Sequence, residues 1–245
     1  MAVVQKILCH IEQITNYGEN VYTLDLKPER LIPRFRPGQF LHLALDNYDP
    51  SGFWPESRVF SIASSPLQRD HIRISYSVRG RFTARMEKEL HEGRRVWIKL
   101  PYGDFVIKNT TDIALFAGGT GITAFTAFLQ GLTPDIKQNI YLAYGARNRS
   151  LLIYRGLIDK LSQRVHALRV YHFIENDAED MPSLTKGEIR ELKGCLSIAS
   201  VWQEIQNPFE TTFYLSGPPL MLKNMTQELH NLGIQEEAVK TDAWE

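Results

Sequence analysis

The chain has 245 residues, 43% of them hydrophobic and 23% charged. That length suits one large domain or two modest ones, and the composition is that of a globular chain needing no disulfide or metal to fold. Its 28 Lys and Arg balance 28 Asp and Glu, which removes the overall basic footprint of a nucleic-acid binder or a polybasic membrane-surface protein. Two cysteines, Cys9 and Cys195, are too few for an iron–sulfur cluster or structural zinc, so no metal is expected. They are either paired or reduced, with reduced thiols the expectation. No signal-peptide pattern opens the sequence, and apolar runs such as 113–117 fall far short of the roughly 20 residues of a membrane span. A cytoplasmic protein with no membrane span is expected.

The first part of the chain reads mostly as strands. Apolar residues alternate over 21–26, 40–45 and 72–78, the period of half-buried antiparallel strands. Pro37-Gly38 and the stretch 47–55 supply turns. One short helix over 84–91 interrupts, with Thr83 placed to cap it and Gly93 to close it. Several short strands joined by turns predict a small barrel.

A polar break at Asn109-Thr-Thr-Asp112 follows, and the pattern changes. Short apolar strands are predicted at 113–117, 140–144, 168–173 and 212–215, with helices over 122–132, 151–161 and 218–232. Thr185 with Glu188 three residues on predicts a further capped helix. Alternating strands and helices imply a parallel sheet covered on both faces. Two domains are expected, 1–108 and 109–245.

The sharpest local signal is Phe116-Ala-Gly-Gly-Thr-Gly-Ile122, between a predicted strand and a predicted helix. Glycines there let a backbone approach a phosphate at a helix N-terminus, and they equally serve a tight β–α turn. The segment is neither a complete dinucleotide fingerprint nor a Walker loop. Phe213-Tyr-Leu-Ser-Gly-Pro-Pro219 repeats the strand–turn–helix arrangement, so both Gly turns would open onto one crevice of an α/β sheet. In the first half, Arg58-Val-Phe-Ser61 and Gly80-Arg-Phe-Thr83 offer an arginine and a helix start, either an anion clamp or an ordinary strand residue and N-cap.

In this order the four segments resemble the ferredoxin–NADP reductase superfamily, whose pattern runs Arg-x-Tyr-Ser/Thr, Gly-x-x-Ser/Thr, Gly-Gly-Thr-Gly-Ile and Cys-Gly-Pro. Pro37-Gly-Gln-Phe40 and Pro101-Tyr-Gly-Asp-Phe105 look like further family segments, and the likeness runs from about Val4 to Trp244. The resemblance implies an antiparallel flavin-binding β-barrel followed by a Rossmann-like α/β domain for a nicotinamide nucleotide. It assigns Arg58 to the flavin diphosphate, Phe60 to the flavin ring and Ser61 to the neighbourhood of its N5. Phe60 stands where the family usually has Tyr and lacks its hydroxyl. Tyr76 and Ser77 would line the other side of the flavin, and Gly80, Arg81, Phe82 and Thr83 its diphosphate, favouring FAD over FMN.

Gly118, Gly119, Thr120 and Gly121 match the loop for the nicotinamide dinucleotide's diphosphate. Ser216 takes the place usually held by Cys beside the nicotinamide, completed by Gly217 and Pro218. Trp244 resembles a terminal aromatic that shields the flavin, or packs on the last strand. Ser61 and Ser216 are the expected catalytic positioners, because hydride transfer between cofactors needs alignment more than acid–base chemistry. Carboxylates in Phe173-Ile-Glu-Asn-Asp177 and at Glu179 and Asp180 repel a 2′-phosphate and favour NADH, whereas Arg147 and Arg149 are the residues that would favour NADPH. The electron acceptor is expected to be a separate protein, such as a ferredoxin or oxygenase component, or a small molecule. The alternatives are a reductase of free flavin and an electron-transfer subunit of a larger complex.

Overall fold

Period-2 burial builds the first half of the chain. In a computed structural model describing residues 3–176, 185, 186 and 189–242, six strands form one antiparallel sheet: β1 (Gln5–Asn16), β2 (Val21–Pro28), β3 (Phe40–Ala44), β4 (Ser57–Ser61), β5 (Ile72–Ser77) and β6 (Arg95–Tyr102). Their order is β4-β3-β6-β1-β2-β5. The edge strands β4 and β5 approach one another, so the sheet nearly closes on itself as the alternation predicts. Alternate residues Ile7, Cys9 and Ile11 of β1, Leu41 and Leu43 of β3, and Val96, Ile98 and Leu100 of β6 fill the interior with Ile72 and Ile74. Cys9 is a free thiol in that core, its pKa raised by burial, and Cys195 is free and exposed.

Helix α1 (Arg81–Glu89) lies between β5 and β6. It begins three residues before the expected start, with Gly80 as N-cap. Thr83 is therefore not the cap. It is the third helical residue, and its hydroxyl accepts the backbone N–H groups of Arg79 (2.9 Å) and Gly80 (3.1 Å). The helix ends at Leu90, and Gly93 serves the turn beyond.

The second half comprises β7 (Asp112–Gly118), α2 (Thr123–Gln130), β8 (Ile140–Ala146), α3 (Arg155–Arg164), β9 (Leu168–Ile174), β10 (Thr185–Lys186), β11 (Ile189–Lys193), α4 (Ala199–Trp202), β12 (Thr211–Ser216), α5 (Pro219–Asn231) and β13 (Val239–Asp242). The order β10-β11-β9-β8-β7-β12-β13 is parallel except for the β10–β11 pair. One sheet face, with Phe116, Tyr141, Phe173 and Phe213, packs on Val201 of α4 and Leu222, Met225 and Leu229 of α5. His172, on the opposite face by alternation, meets Asp159 of α3. Both faces are thus covered, which is why these strands read as continuous apolar runs.

Three helix expectations need correction. The capped helix at Thr185 is instead a strand, with Thr185 paired to Arg190 across an antiparallel ladder. The expected helix start at Ile122 is the end of a single 3₁₀ turn over Gly119–Ile122, which tightens the chain before α2. The helix expected from 151 begins at Arg155, because the preceding residues form a 3₁₀ turn whose exit is held by Tyr144. The Tyr144 hydroxyl donates to the Leu151 carbonyl and accepts the Ile153 N–H, each at 3.2 Å. The chain divides into two compact units, Met1–Val106 with Thr126–Phe128, and Ile107–Phe125 with Leu129–Glu245.

Candidate functional site

On the barrel unit, alternation along β4 puts Arg58 and Phe60 on one face, opposite Leu43 and Leu41 of β3. The Arg58 guanidinium lies 5.3 Å from the ring centre of Phe82 in the first turn of α1. Phe60 meets Tyr76 of β5 edge to face at 6.4 Å, and Tyr76 stacks on Tyr22 at 5.2 Å. Burial raises the pKa of the Tyr76 phenol, so it stays protonated. The sequence-expected residues Arg58, Phe60, Tyr76 and Phe82 thus form one run along the barrel's closing edge. Ser61 ends β4 on the other face, half-buried and opposite Phe40, and half-buried Ser77 pairs with Val21.

The start of α1 offers backbone donors to an anion. The N–H groups of its first turn have no acceptor within the helix and carry the positive end of its dipole. A side-chain carbon added at Gly80 would meet nothing within 4 Å, so the space beside that turn is open. Arg81 projects from it, with its side chain 87% exposed. An arginine, a helix start and open space fit the diphosphate of a flavin nucleotide, and of the neighbouring rings Phe60 is half-buried whereas Tyr76 and Phe82 are buried.

Sequence reasoning passed over the carboxylate beside this run. Glu56 directs Oε1 to Arg58 Nη2 at 3.3 Å, and Oε2 to Arg81 Nη2 at 3.9 Å and Arg85 Nη1 at 3.8 Å. Arg85 has closer partners in Asp46 (2.8 Å) and Glu89 (2.9 Å), and its guanidinium holds both those carboxyls below their ordinary pKa. The available signal was adjacency, since Glu56 precedes Arg58 by two positions.

The second unit brings its two Gly turns together. β7 is the first strand of its sheet and lies at the point where the order reverses, with β8 on one side and β12 on the other. Gly118–Gly121 leaves the carboxyl end of β7, and Gly217-Pro218 leaves that of β12, the place where α/β sheets bind ligands. A side-chain carbon at Gly121 would lie 2.3 Å from the Ser216 carbonyl oxygen, and one at Gly217 would lie 3.2 Å from Gly118 Cα. Gly119 has φ +55°, and a side-chain carbon there would meet nothing within 4 Å. The turn is therefore closed by contact at Gly121 and open at Gly119. Thr123 accompanies it, its hydroxyl donating to the Thr120 carbonyl.

Ser216 is buried and donates its hydroxyl to Asp242 Oδ2 at 3.0 Å, across the parallel β12–β13 pair. Asp242 is itself 3% exposed and was not foreseen. A partner 26 residues away leaves no local pattern, and only the register of β13 reveals it. With its proton directed at Asp242, the Ser216 oxygen presents lone pairs to whatever lies beside it.

At the carboxyl ends of β8 and β9, the Asn176 N–H donates to the Arg147 carbonyl at 2.8 Å, and Glu175 is exposed. Arg149 contacts Glu191 Oε2 at 2.7 Å, and Arg155 contacts Glu191 Oε1 at 2.6 Å. Beside them, burial and the charges of Arg155 and Arg149 push the His172 pKa down to about 4, so the ring is neutral. Its 3.9 Å approach to Asp159 is therefore not an ion pair, and neither ring nitrogen has a hydrogen-bond partner. Trp244, Asp177, Glu179 and Asp180 lie outside the described residues.

Residues 115–227 match the family described as "Oxidoreductase NAD-binding domain". The chain is 28% identical over 222 residues to the phenol 2-monooxygenase reductase component DmpP of Pseudomonas sp. (strain CF600), covering 86% of this chain and 58% of that protein. It is 24% identical over 217 residues to a flavohemoprotein of Rhizobium meliloti (strain 1021), covering 85% and 52%. The chain thus spans little more than half the length of these curated relatives. Among solved structures, its fold is similar to the flavohem-like FAD/NAD-binding domain of a Vibrio cholerae nitric oxide dioxygenase, with a TM-score of 0.79 at 17% identity, covering 97% of this chain and 98% of that one. No helix among the described residues is long and apolar enough to cross a membrane.

Proposed function

We propose that this chain belongs to the ferredoxin–NADP reductase-like superfamily of FAD- and NAD-binding proteins and is a flavin-dependent NAD(P)H oxidoreductase that passes electrons to a separate acceptor. One observation carries the reading. A single chain pairs an arginine and an open helix start on an antiparallel barrel with two glycine turns at the switch point of a parallel sheet. FAD is the proposed flavin, because the start of α1 suits a diphosphate. The flavin domain is assigned to 1–108 and the nicotinamide domain to 109–245.

A bound flavin supplies two-electron acceptance from the nicotinamide and single-electron release to the acceptor. The chain's own residues supply position and charge. Arg58 and the first turn of α1 hold the diphosphate, with Arg81 adding exposed charge. Phe60 and Tyr76 flank the ring system, and Ser61 and Ser77 serve its edge. Gly118 to Gly121 hold the dinucleotide's diphosphate, with Gly121 fixing the turn and Gly119 leaving room for it. Ser216, oriented by Asp242, would present its oxygen lone pairs to a nicotinamide bound at this strand end and favour positive charge there. Gly217 and Pro218 keep that strand end in place.

NADH is the proposed reductant. Of the two arginines that could reach a 2′-phosphate, Arg149 is committed to a buried carboxylate at 2.7 Å, while Arg147 is exposed. Exposed Glu175 adds repulsion toward a dianion. By analogy with the phenol 2-monooxygenase reductase component, the proposed acceptor is a partner protein of an oxygenase or ferredoxin type.

An absorbance spectrum of the purified chain, taken before and after anaerobic NADH and again with NADPH, tests this reading. Flavin bands that bleach faster with NADH are expected. A colourless protein that oxidises NADH only when flavin is added would shift the reading to a free-flavin reductase, which the missing Phe60 hydroxyl also favours. A chain with neither colour nor turnover would overturn it.

A further inference from the structure

The arginine cluster at the start of α1 already holds an anion of the protein's own. We propose that Glu56 is an internal competitor for the flavin phosphates, setting how tightly phosphorylated flavins are retained relative to flavins without phosphate. The inference rests on the flavin reading of the barrel unit.

Both Glu56 oxygens are engaged, Oε1 with Arg58 and Oε2 with Arg81 and Arg85. The contacts run from 3.3 to 3.9 Å, so the carboxylate sits among the guanidiniums without closing a tight bidentate pair with any of them. Arg85 is satisfied elsewhere by Asp46 and Glu89. The cations that Glu56 neutralises are therefore Arg58 and Arg81, on whose charge a diphosphate beside α1 would draw. Glu56 is also carried by a braced segment. Pro55 restricts the backbone before it, and the Trp54 indole donates to the Ser57 hydroxyl at 3.0 Å just after it.

Arg58 has part of its hydrogen-bonding capacity turned inward as well, donating from Nη1 to the Ser57 carbonyl at 2.8 Å. A phosphate arriving at this cluster must displace the carboxylate or share cations with it. Two anions competing for the same guanidiniums weaken each other, so the charge on Glu56 lowers affinity for any ligand with phosphate there. It leaves affinity for the bare ring system alone. Glu56 is thus a specificity-determining residue that acts through charge, outside the ring contacts of Phe60 and Tyr76.

The test is a pair of fluorescence titrations of the flavin-stripped chain with FAD and with riboflavin, for the wild type, Glu56→Gln and Glu56→Ala. Both substitutions should tighten FAD binding about fivefold at low salt, with the gain shrinking as salt screens the cluster. Riboflavin affinity should not move. FAD and riboflavin affinities that both stay at their wild-type values, or that change by the same factor, would overturn the inference while leaving the flavin reading intact. A chain that binds neither flavin in any variant would overturn the flavin reading and this inference with it.

Discussion

The two candidate ligand sites are made by opposite means. On the barrel unit the candidate site is one of exposed charge: Arg58, Arg81 and Glu56 face solvent around a helix start with space beside it. On the α/β unit it rests on backbone fit, where Gly121 lies so close to the Ser216 carbonyl that no side chain can be added, and the polar groups Ser216 and Asp242 are buried. The charged site is plastic and salt-sensitive, while the backbone site is rigid and intolerant of added atoms. The same kind of substitution should therefore have very different consequences in the two places.

The largest effect is expected from Gly121→Ala. A methyl group 2.3 Å from a backbone carbonyl forces the β7 and β12 ends apart, at a cost of about 3 kcal/mol, read as a lower melting temperature together with lost NADH binding. An unchanged melting temperature would show that the turn is less rigid than its geometry.

Acid should also damage the α/β unit through His172. Its folded pKa of about 4 lies below the ordinary histidine value of 6.5. The unfolded chain therefore binds a proton that the folded chain refuses between those two pH values. The stabilisation is complete above pH 6.5 and is lost as pH falls toward 4, amounting to about 3 kcal/mol. Urea unfolding between pH 7 and pH 4.5 should show a shallower decline for His172→Phe than for the wild type.

Arg58→Ala, on the charged side, should leave the fold intact and weaken FAD binding about tenfold, close to 1.4 kcal/mol. The loss should be smaller at high salt. Retained wild-type affinity would remove Arg58 from the flavin site. The smallest effect is expected from Gly80→Ala, whose φ of −147° suits any residue and whose added methyl meets nothing. Its stability cost should be below about 1 kcal/mol, in contrast to the alanine at Gly121.

What the sequence made legible follows the same division. The parallel strands β7, β8, β9 and β12 are buried on both faces, so they appear as short apolar runs between turns. The glycine turns at the carboxyl ends of β7 and β12 were legible because their spacing is local. The strand at Thr185 was misread because Thr and Glu three apart satisfy a capping pattern, whereas the hydrogen bonds that decide its state come from Arg190 across a sheet edge. Asp242 escaped notice because strand register, a property of the folded sheet, brings it to Ser216. Glu56 stood in plain view, but a charge beside a motif gains meaning only when the side chains around it are placed.

Met221 gives the two glycine turns a shared fate. Its thioether lies where a side-chain carbon at either Gly118 or Gly217 would fall, 2.6 Å from each. The turns are thereby one mechanical part with a compliant washer between them, since an unbranched thioether reshapes itself more readily than a branched side chain. A lineage that enlarges either turn has its cheapest repair at position 221, in a helix outside both motifs. Variation among relatives at these three positions should therefore be correlated, with bulk gained in a turn matched by bulk lost from the washer.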